Sequence, residues 1–232
     1  MAATRIFAAV ENLLSRRNIN RLAIPAICAG IGEPVLSITD TAIVGNIPEQ
    51  GLESLAAAGI VGSFLSMLIW ILGQTRSAIS AIVAQYLGAG RLDEITALPA
   101  QAIYLNVGVS LVILLGTLPF SAEIFQLLNA SGTILELCIS YYGIRVWGFP
   151  LTLFTFAIMG TFQGLQNTFF PMLIALTGTS LNILLDFLLV YGYGDLVPAM
   201  FLDGAAWASL ISQAVMAVMA LVLLLTRTPV RL

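Results

Sequence analysis

Leu181-Asn182-Ile183-Leu184-Leu185-Asp186-Phe187-Leu188-Leu189-Val190 decides how this chain is read. The stretch lies inside an apolar run over 169–191, and a run of ~20 residues is enough to cross the hydrocarbon core of a bilayer as a helix. Asp186 is its one ionisable side chain, and a charge at the centre of a membrane helix costs at least ~2.5–3.5 kcal/mol on insertion scales. A carboxyl kept at that cost calls for a partner or a task. Asn182 precedes it by four residues, so on a helix the amide and the carboxyl project from one face. Removal from water disfavours the charged form of a carboxyl, which suits such a group to taking up and releasing a proton. The bland alternative is a structural hydrogen-bonded pair between helices.

The rest of the chain fits a membrane setting. Of its 232 residues 59% are hydrophobic and only 9% are charged, and the mean hydropathy is +0.99. A soluble domain is ~45–50% apolar and ~25% charged, so this chain lacks the polar groups to cover a water-soluble fold. Nine basic residues, all arginine, against twelve acidic ones exclude a nucleic-acid binder. With no histidine, and with Cys28 and Cys138 far apart in apolar runs, disulfide frameworks, zinc sites and His-based triads are excluded as well. The chain reads as an all-α integral membrane protein and not as an enzyme.

Six spans are expected, over 21–46, 55–88, 98–120, 134–165, 169–191 and 205–225. They form a transmembrane unit over 21–226, flanked by an amphipathic N-terminal segment over 1–20 and a tail over 227–232. With six crossings both ends share a side. That side carries Arg5, Arg16, Arg17, Arg21, Arg91, Arg227 and Arg231, whereas the opposite loops carry Glu49, Glu53, Glu123, Asp195 and Asp203. The excess of arginine places both termini in the cytoplasm of a multi-pass protein of the cell membrane, in contact with lipid.

Asp40, flanked by Thr39 and Thr41, falls in the outer part of the first span, at a depth similar to that of Asp186. Two carboxyls at one depth on different helices suggest a common cavity, although Asp40 alone could equally be a boundary residue that meets water. Glu33 lies about two turns before Asp40, and Arg145, deep in the fourth span, is expected as its counter-ion. Arg76 is expected to snorkel toward the inner interface. Pro25 and Pro34 weaken the first helix and let it bend. Small residues such as Gly59, Gly62, Gly160 and Gly164 allow close helix approach. Gly88-Ala89-Gly90 is not followed by Lys-Ser or Lys-Thr, so no ATP site is expected. No cofactor or metal is expected, and a transporter built this way would draw on a proton or sodium gradient.

The pieces in order are Thr39-Asp40-Thr41-Ala42-Ile43-Val44-Gly45, Gln85-Tyr86-Leu87-Gly88-Ala89-Gly90, Arg145-Val146-Trp147-Gly148-Phe149-Pro150, Gly164-Leu165-Gln166-Asn167-Thr168, Asn182 to Asp186, and Gly204-Ala205-Ala206-Trp207-Ala208. Together with Pro25 they resemble the N-terminal half of a multidrug and toxic compound extrusion (MATE) transporter, and most of all its DinF branch. The resemblance implies a six-helix lobe that exports drugs or amphipathic, cationic metabolites by alternating access against cation entry. It also implies Asp40, Asn182 and Asp186 as the proton or cation site, with Thr39, Thr41 and Gln163 as weaker candidates for a substrate cavity. Members of that family have two lobes, so a second lobe or a homodimer is the expected partner. A lipid-linked precursor flippase and a non-transporting or truncated membrane subunit are the competing readings.

Overall fold

The computed structural model describes residues 16–228 apart from 49 and 195. Most of the expected N-terminal segment and most of the tail lie outside the described residues, as do Glu49 and Asp195. The described chain is helical throughout: α1 (Arg16–Gly45), α2 (Gly51–Gly88), α3 (Leu98–Thr117), α4 (Ser121–Leu127), α5 (Gly132–Arg145), α6 (Gly148–Gly164), α7 (Phe169–Tyr191) and α8 (Phe201–Arg227), with a 3-10 turn at Leu92–Ile95. Among the described residues no β-strand forms.

Five stretches are long and apolar enough to cross a membrane alone, and α5 with α6 supplies a sixth. This pair corrects one expectation. The sequence over 134–165 reads as one long span, but it is two helices bent by 45° at Val146-Trp147. Gly148 and Pro150 follow at once. Glycine lowers helix stability, and proline both lacks an N–H and crowds the carbonyl four residues earlier, so the helix breaks there. Pro25 and Pro34, by contrast, sit inside an uninterrupted α1. The loop expected around Glu123 contains the short helix α4 and turns at Asn129 (φ 64°) and Gly132 (φ 56°).

Two clusters of buried side chains hold the bundle together. One gathers Ile43, Val61, Phe125, Tyr142, Val190 and Leu202 where α1 ends and α2 and α8 begin. There Phe64, Phe125 and Tyr142 pack edge to face, with ring centroids 5.2–6.0 Å apart. The other gathers Ile79, Ile103, Ile158, Phe162, Ile174 and Leu224 toward the opposite end. Close contact between α2 and α6 depends on glycine. A Cβ on Gly160 would lie 2.6 Å from the Arg76 carbonyl oxygen, and one on Gly164 only 2.5 Å from Val83 Cβ. Gly59 and Gly62 face open space instead, so their small size is not used for packing within this chain.

Helices α1 and α7 are pinned to each other near both ends. Thr168 Oγ1 donates to the Leu22 carbonyl (3.0 Å), and Tyr191 Oη donates to the Ile43 carbonyl (2.8 Å). Start meets start and end meets end, so the two helices run parallel. Asp40 lies three residues before Ile43 and Asp186 five before Tyr191. The pins therefore set both carboxyls at one level.

Candidate functional site: a carboxyl pair beside an arginine

At that level the Asp40 and Asp186 carboxyls lie within side-chain hydrogen-bonding range of each other. Asp186 is 1% exposed, whereas Asp40 is only half-buried. The pair thus has a sealed member and an open one. Asn182, also buried, bridges α7 to α8. In the amide orientation that satisfies both its ends, Nδ2 donates to Asp186 Oδ2 (3.1 Å), and Oδ1 accepts from the Ser209 hydroxyl (3.2 Å) and the Ser209 N–H (3.1 Å). Asp186 Oδ1 has no protein donor although it is buried. A buried carboxyl oxygen without a donor is costly, and a proton shared with Asp40 would supply the missing bond. Two carboxyl groups can hydrogen-bond only when one of them holds a proton.

The cation beside this pair is Arg145. Its charge acts on Asp40, on Asp186 and on Tyr141, and its Cζ lies 5.8 Å from the centre of the Tyr141 ring. This corrects the expected pairing of Arg145 with Glu33. The break after α5 ends that helix at Arg145, level with the carboxyl pair, whereas Glu33 sits further back along α1 and its charge acts on Arg76. Arg76 also departs from expectation. It is half-buried and turned into the bundle, where Nε–H donates to Gln163 Oε1 (3.1 Å) and the guanidinium lies 5.6 Å from the Phe156 ring centre. It does not snorkel outward, because Gln163 and Phe156 on α6 give it a polar partner and an aromatic face inside.

Gln163 is therefore engaged by Arg76 and belongs to that second cluster, away from the carboxyl pair. Thr39 and Thr41 flank Asp40, but their hydroxyls donate to the carbonyls of Val35 (2.8 Å) and Ser37 (2.7 Å) in their own helix. Pro25 and Pro34 also stand apart from the pair. Sequence reasoning missed Tyr141 and Ser209. The polar positions Ser209, Ser212 and Gln213 in an apolar span were the available signal for α8, and nothing in the sequence distinguished Tyr141 from the other aromatics. Among the described residues no cluster of His, Cys, Asp and Glu could hold a metal ion.

A bundle of span-length apolar helices that keeps two carboxyls, an arginine and an amide in its interior has the make-up of a membrane transport protein. The comparisons make this specific. The MatE family model matches residues 25–188, and the chain belongs to that family of transporters. It is 29% identical over 193 residues to DNA damage-inducible protein F of Escherichia coli, covering 83% of this chain and 40% of that protein. It is likewise 29% identical over 203 residues to the probable multidrug resistance protein NorM of Geobacillus kaustophilus, covering 85% and 43%. The structure superposes on a MATE crystal structure in complex with MaD3S with a TM-score of 0.81 and 25% identity, over 92% of this chain and 47% of that one. The chain therefore spans less than half the length of these relatives, which fits the N-terminal half of such a transporter.

Proposed function

We propose that this chain carries the ion-coupling half of an antiporter that exports drugs or amphipathic, cationic metabolites in exchange for protons. The observation that carries the reading is the convergence of Asp40 and Asp186, from α1 and α7, onto one level of an apolar bundle with Asn182 bonded to the second carboxyl. The names of the relatives, multidrug resistance protein among them, support the class of cargo. Asp40, half-buried, exchanges protons with the aqueous cleft, and Asp186 holds the proton in the sealed interior. Emptied of protons, the two carboxylates and Arg145 sum to one negative charge, which a single proton or an equivalent cation neutralises. A cationic substrate entering the same acidic space competes with that proton, and this competition is the basis of exchange.

One lobe forms one wall of a cleft. The opposite wall comes from a second lobe in parallel orientation or from a second copy of this chain. The protein lies in the cell membrane with both described ends on the cytoplasmic side, by the arginine distribution. The deciding experiment is substrate efflux from everted vesicles across a pH series, with expression matched. Asp186→Asn, which keeps the shape and removes the titrating group, is expected to abolish pH-driven efflux while the protein still inserts. Normal efflux by this variant at every pH would reduce Asp186 to a helix-packing residue.

A further inference from the structure

A small, partly open cavity of about 40 Å³ lies beside Arg145, where α5 breaks into α6. Leu65 and Ser66 of α2, Arg145, Phe149 and Thr152 at the break, and Gln213 of α8 line it. Two of its polar atoms are buried without any protein partner: Arg145 Nε, a donor, and Gln213 Oε1, an acceptor. The Thr152 hydroxyl is already committed to the Gly148 carbonyl (3.1 Å). The Gln213 amide packs directly over Gly148, so a side chain at 148 would have to displace it.

Burying a donor and an acceptor unpaired costs roughly 1–3 kcal/mol each, so a cavity that contains one of each and has room calls for a bridging ligand. A water molecule needs ~10–15 Å³ of such space and two to four polar partners. The volume is enough for at least one. A lone anion would leave the Gln213 oxygen facing a like charge, and a cation would face the guanidinium. Water alone satisfies both ends.

We propose that this cavity holds bound water bridging Arg145 Nε–H to Gln213 Oε1, and that Gln213 is thereby the residue that positions the guanidinium beside the Asp40–Asp186 pair. The inference rests on the reading of that pair as the exchange site. The groups facing Arg145 are Asp40 from α1, Asp186 from α7 and Tyr141 on its own helix. The side chains that α2, α6 and α8 bring to the cavity are neutral. The charge felt by the carboxyls is then set by where one guanidinium is held, and Gln213 holds it through water.

Gln213→Glu and Gln213→Met in the complete functional transporter test this. A carboxylate at 213 draws the guanidinium to itself and removes its support from the deprotonated pair. Protons are then held more firmly, and the efflux profile is expected to move to higher pH by about one unit. Gln213→Met, of similar shape but without an acceptor, moves it the same way by less. A Gln213→Glu profile that superimposes on wild type, in a background where Asp186→Asn is inactive, would overturn the positioning role while leaving the exchange site standing. High-resolution density of the unmutated transporter gives a check free of folding defects. Water peaks bridging the two atoms are expected, and a dry cavity would contradict the proposal.

Discussion

Two charged clusters lie inside this bundle, and they are built on opposite principles. Around Arg76 the cation is matched by neutral groups, the Gln163 amide and the Phe156 ring, with Glu33 acting at a distance. Around Asp186 two carboxyls confront each other, one arginine stands by, and a carboxyl oxygen is left without a donor. The first cluster is nearly complete as it stands. The second is complete only with a proton in it. Ionisable residues in a membrane span are thus not equivalent signals of function, and what separates them is whether their hydrogen bonds close without a mobile partner.

The contrast is broken most severely by removing the shared cation. Arg145→Met removes the cation whose charge acts on both carboxyls and so disfavours their deprotonated form. It is expected to lower thermal stability in detergent at neutral pH and to restore part of it at acid pH, where protons replace the arginine. A stability loss equal at all pH values would show that Arg145 is a packing residue. Next in size is Asn182→Ala. A hydrogen bond to a charged group is worth ~1.5–3 kcal/mol, so the efflux optimum is expected to shift by about one pH unit with a smaller change in maximal rate, measured over the same series. A changed rate at an unmoved optimum would contradict the assignment.

The other cluster gives the control. Gln163→Leu removes the acceptor of Arg76 and is expected to cost about 1–3 kcal/mol of stability while the pH profile of efflux stays where it is. A moved profile would mean that the two clusters communicate. The smallest effects concern packing. Gly160→Ala forces α6 away from the Arg76 backbone, and overpacking of this kind costs ~1–3 kcal/mol. Gly59→Ala meets no neighbour and is expected to stay within about 0.5 kcal/mol of wild type. Both are read from thermal unfolding.

Much of this was legible in the sequence, for reasons that can be named. The span-length apolar runs set the all-helical membrane fold. The four-residue spacing of Asn182 and Asp186 puts them on one face whatever the tertiary structure. The common level of Asp40 and Asp186 followed from counting along two spans. Arg145 was misassigned because the fourth span was treated as a straight rod. A 45° bend at Val146-Trp147 changes what the end of α5 can reach, and Gly148 and Pro150 had marked that position. Arg76 was placed outward on the general habit of long cationic side chains, whereas the partner that turned it inward, Gln163, lies 87 residues away in the chain. Ser209, Tyr141 and Gln213 gain their meaning only from neighbours on other helices.

The central claim is that Asp40 and Asp186 share one exchangeable proton beside Arg145. Infrared difference spectroscopy of the protonated-carboxyl band tests it most directly, on the complete transporter in lipid vesicles stepped through pH. The account predicts a titrating band in the wild type worth one proton per carboxyl pair. That band is lost in the Asp40→Asn, Asp186→Asn double variant, and either single variant perturbs it. A band that survives unchanged in the double variant, or one worth two independent protons, would contradict the account.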